Sequence, residues 1–384
     1  MPNESFKRRA NSIADMRMLA KKSLPRMVFD FVDGGAENEY TVRRNEKVFD
    51  ETLLLPRPLN GAVEPDQSLE LFGQRLSMPV LIGPTGLAGM LWPRGEEHSA
   101  RAAVAAGTVY TMSHASTVTI EDLASKVSGN LWKQVFLYRD RGMTRVFTER
   151  ALAAGYKTLI LTVDNQRPGY RERDMRNGFT VPLRLTASTL LNMAMHVGWL
   201  WRTGTNPRFT MANYASEEKS DIVSLASRMG GMLAADITWK DVEWLRGLWN
   251  RPFLLKGILH PEEARQAVAL GVDGIIVSNH GGRQLDVVPT AMEALPGIVA
   301  AVGGRVPILI DGGIRRGSDV LKARALGATA CLIGRPQLWG LGVAGEAGVS
   351  WVLELLRREI DRTMALGGWA QLSDIDQSAL FERR

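Results

Sequence analysis

A chain of 384 residues, 45% hydrophobic and 23% charged, has apolar side chains enough for a large globular core. Its 47 lysines and arginines against 41 acidic residues give a net +6, yet no dense basic tract is interleaved with aromatics, which argues against nucleic acid as a partner. The one cysteine, Cys331, sits in an apolar run, so neither an internal disulfide nor a CxxC-type metal site is available and no metal is expected.

The first ten residues are polar and basic without the apolar stretch of a secretory signal, and no apolar run is long enough to span a bilayer. Both observations predict a cytoplasmic protein. Residues 6–50 read as two or three short helices. Met18, Leu19, Met27, Val28 and Phe31 recur at helical spacing, broken at Pro25, and Asp33-Gly34-Gly35-Ala36 marks a stop and restart. This helical segment, 1–60, is expected to plug the bottom of a barrel or cover its mouth.

From Met78 onward short Val/Ile/Leu runs alternate with Ala-rich amphipathic stretches. Strands are predicted at 79–83, 108–112, 131–137, 158–163, 252–256, 274–278, 307–310 and 328–333. Helices are predicted at 96–106, 144–154, 261–270, 291–302 and 318–326. Gly107, Gly155, Gly271 and Gly327 stand where a helix ends and a strand begins. Continuous apolar strands alternating with helices mean an all-parallel sheet, and eight is the number that closes. The fold class is therefore α/β, a (β/α)8 TIM barrel over 76–365 within a single domain, 1–384. A doubly wound sheet is disfavoured because no strand leads into a GxGxxG helix start.

A long excursion after the fourth strand, 165–240, breaks the rhythm. Within it, residues 190–202 are apolar, with Trp199, Trp201 and Arg202 at one end. That composition fits either a lid or subunit contact, or an interfacial anchor on the inner face of the cell membrane.

In a barrel of this kind chemistry gathers just after the strands. The strand ends offer Pro84-Thr85-Gly86, Ser113-His114, Gln134, Thr162 with Asp164, Lys256, Ser278 with His280, Asp311, and Gly334-Arg335. Gly312, Gly313 and the helix opening at Gly317-Ser318, with Arg315 and Arg335, read as a phosphate cradle after strands seven and eight. Lys256 would serve as a Schiff-base amine or as a cation opposing developing negative charge. Asp164 would fix the tautomer of His280 and stabilise its imidazolium, and Arg283 would bind a carboxylate or carbonyl oxygen.

The run Ser278-Asn279-His280-Gly281-Gly282-Arg283-Gln284-Leu285-Asp286 resembles the active-site signature of the FMN-dependent α-hydroxy acid oxidases and dehydrogenases. Ile82-Gly83-Pro84-Thr85-Gly86-Leu87, Gly169-Tyr170-Arg171-Glu172-Arg173-Asp174 and Asp311-Gly312-Gly313-Ile314-Arg315-Arg316-Gly317 match the same family, and the likeness is strongest to its membrane-associated mandelate and L-lactate dehydrogenases. The resemblance implies FMN across the barrel mouth, with its phosphate at Gly313, Arg315, Gly334 and Arg335 and its ribityl chain at Asp311. Pro84, Thr85, Gly86, Ser113, Gln134, Thr162 and Ser278 would line the ring, and Lys256 would lie beside its N1–C2 edge. It further implies His280 as base, Asp164 as its partner, Arg283 and Arg171 as anion contacts, quinone or another carrier as electron acceptor, and a homo-oligomer, a tetramer in the family.

Two departures bear on the substrate. Phe31 and Phe136 stand where the family usually has tyrosines whose hydroxyls bond the substrate. Their loss points to a bulkier hydroxy acid, or to an ester, amide or lactone such as pantolactone. Gly86, where oxidase members often carry alanine, tilts the reading to a dehydrogenase. The competing readings are a non-redox isomerase or aldolase barrel using Lys256 or His280, and a flavin binder without turnover. A nucleotide dehydrogenase fails, because Cys331 lies within a strand pattern rather than on a loop.

Overall fold

The computed structural model describes residues 4–61, 64–180, 184–204, 210–214 and 231–381; parts of the expected 165–240 excursion, at 181–183, 205–209 and 215–230, lie outside the described residues. Three helices come first: α1 (Ile13–Ser23), α2 (Arg26–Asp33) and α3 (Tyr40–Glu51). An antiparallel hairpin follows, β1 (Leu69–Leu71) and β2 (Gln74–Leu76). Eight parallel strands then close into a barrel: β3 (Val80–Ile82), β4 (Tyr110–Met112), β5 (Leu131–Val135), β6 (Thr158–Thr162), β7 (Phe253–Ile258), β8 (Gly274–Val277), β9 (Ile308–Asp311) and β10 (Ala330–Ile333), with β10 paired back onto β3. The helices outside the ring are α4 (Gly95–Ala105), α5 (Ile120–Lys126), α6 (Arg141–Ala153), α10 (Trp239–Leu248), α11 (Pro261–Ala269), α12 (Ala291–Val302), α13 (Gly317–Ala325) and α14 (Arg335–Gly367). Three more, α7 (Glu172–Arg176), α8 (Ala187–Met195) and α9 (Val197–Gly204), belong to the excursion after β6.

All eight predicted strands form, each within about two residues of its expected ends, because side chains on both faces are buried and the runs are mostly apolar. Gly107, Gly155, Gly271 and Gly327 all take positive φ, which ends each helix and turns the chain into the next strand. Helix α6 starts three residues before its predicted 144 because the Asp140 carboxylate accepts the Gly142 N–H at its first turn. Leu81, Trp132, Ile160, Leu254, Ile276, Leu309 and Leu332 point inward from seven strands and fill the barrel.

Of the two places expected for the N-terminal helices, the structure has them at the mouth, and the bottom is closed by another element. Leu71 and Leu76 of the β1–β2 hairpin join the interior cluster, so a hairpin and not a helix plugs that end. Its strands are too short for periodicity to reveal. The turn between them, Phe72-Gly73, has both residues at positive φ, the geometry a two-residue hairpin needs. Helices α2 and α3 cover the opposite end, the mouth.

A lysine is among the polar side chains buried between barrel and helices. Lys133 on β5 alternates with inward Trp132, so it faces outward, and its Nζ donates to Ser113 O at 3.0 Å. Burial, and then the Arg150 cation, push its pKa from the ordinary 10.5 down to about 7.

Leu76→Ala is expected to cost about 2–5 kcal/mol, read as a lower urea midpoint with the folded far-UV spectrum unchanged. For Lys133, the folded chain releases its proton near pH 7 and the unfolded chain near 10.5. The unfolded chain thus binds more protons in that window, and stability rises with pH across it. Lys133→Met removes this linkage, so the variant should gain most over the parent at pH 6 and least at pH 9. A gap that does not change with pH would refute the assignment.

Candidate active site at the barrel mouth

Three neighbouring strand ends meet in one ionic knot. Lys256 of β7 is buried; its Nζ donates to Ser278 Oγ just past β8 at 2.8 Å and pairs with Asp311 Oδ2 at the end of β9 at 2.9 Å. Burial works against the ammonium, but the carboxylates of Asp311 and Asp164 outweigh it and raise its pKa. Thr162 lies in register with Lys256 across β6 and β7. On the far side of the mouth, Ser113 Oγ donates to Gln134 Oε1 at 3.4 Å, and Thr85 Oγ1 accepts from Gln337 Nε2 at 2.8 Å. Pro84 and Gly86 flank Thr85; a Cβ on Gly86 would meet Ala115 Cβ at 2.9 Å.

Gln134 Nε2 and Asp311 Oδ1 are among the buried polar atoms here that have no partner among the described residues. Leaving a buried donor and a buried acceptor unmade costs about 1–3 kcal/mol each, so both ask for a ligand. A donor amide, a buried ammonium and a carboxylate oxygen suit the heterocyclic edge and hydroxylated chain of FMN. The residues fit that group.

Across the knot, His280 Nδ1 lies 2.9 Å from Asp164 Oδ1. His280, Gly281 and Gly282 all have positive φ, and the two glycines are what permit so tight a left-handed turn after β8. Gly257, also at positive φ, is held free of a side chain because a Cβ would reach within 2.7 Å of Asp164 Cγ. Gln284 Nε2 donates to Asp164 O at 2.9 Å. Burial raises the Asp164 pKa, but His280 and then Lys256 outweigh it, and the group stays below the usual carboxylate value.

The mouth is roofed from the N-terminal segment. Arg283 Nη1 donates to Phe31 O at 2.8 Å and Gly34 O at 2.9 Å, while Arg335 donates to Asp33 O at 3.2 Å and Gly34 O at 2.8 Å. These carbonyls lie at the C-terminal end of α2, which intrahelical bonds leave open. Among the described residues no carboxylate stands within ion-pairing distance of Arg283, and burial, Arg171 and Arg335 all push its pKa well down. Arg171 pairs with Asp174 at 3.1 Å. The Phe31 ring carries both cations, with the Arg283 and Arg171 guanidinium carbons 5.3 and 5.8 Å from its centroid. Phe31 also packs on Phe179 at 4.8 Å and joins an apolar cluster with Leu87, Ala115, Met211 and Tyr214. Phe136 lies against the ring of His114 at 4.1 Å.

On the expected phosphate side, one element is corrected. The Gly317 N–H donates to Glu359 Oε2 at 2.8 Å, and Asp319 accepts the N–H groups of Arg315 and Arg316. Helix α13 is thus capped from within, and Gly317 is glycine because a Cβ would lie 2.4 Å from Ile360 N on α14. By contrast α14 opens at Arg335 with no side-chain cap, and around Gly334 only Thr85 Cγ2 comes near, at 3.6 Å from a Cβ. Gly313 has φ +87 and Asn45 O would sit 1.9 Å from its Cβ, so the strand turns there under α3. Arg315 pairs with Glu46 at 2.8 Å and lies over Trp339, and burial with Arg315 nearby pushes the Arg335 pKa to about 10. Among the predicted set, then, the Lys256–Ser278–Asp311, His280–Asp164 and Arg283–Arg171–Phe31 groups come together. The sequence reading missed Gln337, the Asn45–Asn279 pair and the Asp33–Gly34 carbonyls. Only Gln337, just inside a helix after Pro336, carried a local signal.

A family model described as FMN-dependent dehydrogenase matches residues 20–382. The chain is 42% identical to (S)-mandelate dehydrogenase of Pseudomonas putida, covering 96% of this chain and 93% of that one, and 43% identical to L-lactate dehydrogenase of Alcaligenes faecalis, covering 96% and 98%. A crystal structure described as the monotopic membrane protein (S)-mandelate dehydrogenase superposes with TM-score 0.94 at 42% identity, over 97% of this chain and 99% of that one. A mandelate oxidase variant solved with 2-hydroxy-phenylacetamide superposes at 0.82 and 36% identity, over 97% and 98%. With the ionic knot, the paired imidazole and the orphaned donor and acceptor at the mouth of an eight-stranded barrel, these matches show that the chain belongs to the FMN-dependent dehydrogenase family, as an FMN-dependent oxidoreductase of the hydroxy acid dehydrogenase and oxidase group.

Proposed function

We propose that the chain oxidises a 2-hydroxy acid with a large apolar, preferably aromatic, side chain to the 2-oxo acid and passes the electrons to a membrane quinone. The observation that carries this reading is Arg283, a half-buried guanidinium without a carboxylate at ion-pairing distance among the described residues, on which Arg171 and Arg335 outweigh the more distant Asp174 and Glu39. A partly desolvated cation of that kind is stabilised by an anion that arrives with the substrate. Asp174 is engaged by Arg171 at 3.1 Å and not by Arg283. The substrate carboxylate therefore lies on Arg283 and Arg171, its side chain against Phe31, Phe179, Leu87 and Met211, and Phe136 adds apolar wall.

That pose brings the carbinol to His280. With Nδ1 turned to Asp164, the Nε2 lone pair of His280 accepts one proton from the H–C–O–H unit, and Asp164 stabilises the imidazolium. FMN, when bound, accepts the two electrons and the second hydrogen. Lys256 is the fixed cation beside it and offsets the negative charge that reduction adds, with Asp311 and Ser278 holding it in place. On this reading Pro84, Thr85, Gly86, Ser113, Gln134 and Thr162 line the ring, and Gly313, Arg315, Gly334 and Arg335 hold the phosphate with the open N-terminus of α14.

A second reading, an ester, amide or lactone substrate, is favoured by the absence of hydroxyls at Phe31 and Phe136 and by the amide seen in the mandelate oxidase variant. The unpartnered guanidinium weighs against it. Anaerobic bleaching of the flavin decides. Mandelate should reduce it about tenfold or more faster than lactate, mandelamide, methyl mandelate or pantolactone, the loss expected for an unfilled apolar wall or an unpaired half-buried cation. A lactone or amide outrunning mandelate would sink the acid reading.

The membrane acceptor rests on α8 and α9. Leu191, Met195, Val197 and Trp201 are exposed at 64, 65, 69 and 75%, while Trp199 is buried with Nε1 on Met90 O. No helix among the described residues is long and apolar enough to cross a membrane, so contact is interfacial. The paired substitution Leu191→Glu and Trp201→Glu should leave the protein in the supernatant of a sedimentation assay with anionic phospholipid vesicles, with anaerobic bleaching rates unchanged. Undiminished sedimentation would remove this surface from the model of electron delivery.

A further inference from the structure

The loop after β4 carries a group that the reaction as described leaves unused. His114 is partly exposed and borders the mouth. Its backbone N–H donates to Gln134 Oε1 at 3.1 Å, its ring lies edge-on to Phe136 at 4.1 Å, and it stands perpendicular to the Tyr214 ring at 6.4 Å. Tyr214 belongs to the apolar cluster that holds Phe31, the ring under Arg283, and His280 is near enough to act electrostatically on the His114 imidazole. Its Nδ1 is fully buried without a hydrogen-bond partner among the described residues. An imidazole always offers a donor, and in its neutral form a donor and an acceptor. Here those functions are set against an aromatic wall that has none.

We propose that His114 is a substrate-contacting, specificity-determining residue: its imidazole supplies, at the Phe136 wall, the hydrogen bond to the substrate's oxygen substituents that the phenyl ring cannot make. The assignment rests on the hydroxy-acid reading above and names a further group within it. Burial, then Lys133 and more distantly His280, hold the imidazole neutral down to about 3, against a smaller opposing effect of the Gln134 side chain. His114 therefore contributes a hydrogen bond and not a proton, and the base remains His280. It also gives the mouth a second polar anchor that does not depend on charge, so that a large side chain and an oxygen function are read together.

The test uses the FMN-loaded full chain. His114→Phe keeps the ring and removes both nitrogens, and Phe136→Tyr returns a hydroxyl to the facing wall. His114→Phe should lower kcat/KM for mandelate about tenfold and weaken 2-oxo-2-phenylacetate, followed by its flavin difference spectrum, by a similar factor, with FMN content and Tm unchanged. The double variant should recover most of both losses, and His114→Gln, which keeps a donor and an acceptor, should stay within about threefold of the parent. The kcat/KM pH profile should keep its shape in every variant. Affinity and kcat/KM within about twofold of the parent for His114→Phe, a loss that Phe136→Tyr leaves uncorrected, or a pH limb that disappears with the imidazole would each overturn the proposal. A parent flavin that no 2-hydroxy acid bleaches refutes the parent reading instead, and the affinity for 2-oxo-2-phenylacetate then scores His114 by itself.

Discussion

The mouth of this barrel is held by two half-buried guanidinium groups donating to the C-terminal carbonyls of one short helix. Arg283 and Arg335 reach Phe31, Asp33 and Gly34, which α2 leaves without intrahelical donors. The negative end of the helix faces two cations, and each side solves the other's problem. The backbone follows suit. Ala36 N–H donates to Gly282 O at 2.8 Å, a Cβ on Gly35 would meet that same oxygen at 2.7 Å, and a Cβ on Gly282 would lie 2.8 Å from Val42 N. The N-terminal roof and the loop that bears His280 are in effect one surface.

Most of the barrel was legible because its signal is local and repeated. An apolar run buried on both faces, a helix of matching length, and a glycine at the junction recur often enough to count. Catalytic candidates were legible for a related reason: a strand end that carries Lys256, Ser278 or Asp311 has an abrupt change from apolar to polar that the rest of the strand lacks. What stayed hidden is what depends on distant partners. Nothing in Gly317-Ser318 announces that Glu359 and Asp319 satisfy its helix terminus, so the stretch looked like an anion cradle and is a packing contact. Nor could the three-residue strands of the hairpin plug display a period. The carbonyls of Asp33 and Gly34 carry no side-chain identity at all, yet they anchor a cation more than 300 positions away.

Charge and polarity pull the substrate reading in different directions, and magnitudes arbitrate. Two absent tyrosyl hydroxyls remove neutral hydrogen bonds worth about 0.5–1.5 kcal/mol each, more to a charged partner. A half-buried guanidinium bonded to an arriving carboxylate is worth about 1.5–3 kcal/mol. The larger effect keeps the carboxylate in the picture, and the smaller one reshapes what sits beside it. The two phenylalanines then look less like losses than like a change of wall. Phe31 spreads under two cations, and Phe136 backs onto an imidazole that restores polarity from a different strand end.

The roof and the loop it meets are separated by 252 residues along the chain, and Gly34 and Arg335 by 301. During synthesis the first helices emerge long before the strands whose loops they will latch, and α2 must wait with its terminal carbonyls in water. The barrel wall can build from neighbouring βα units as they appear, but the chamber exists only once nearly the whole polypeptide has been made. Order of assembly therefore protects the chemistry: a truncated product can own strands, helices and even the histidine loop, and still have no enclosed place in which to use them.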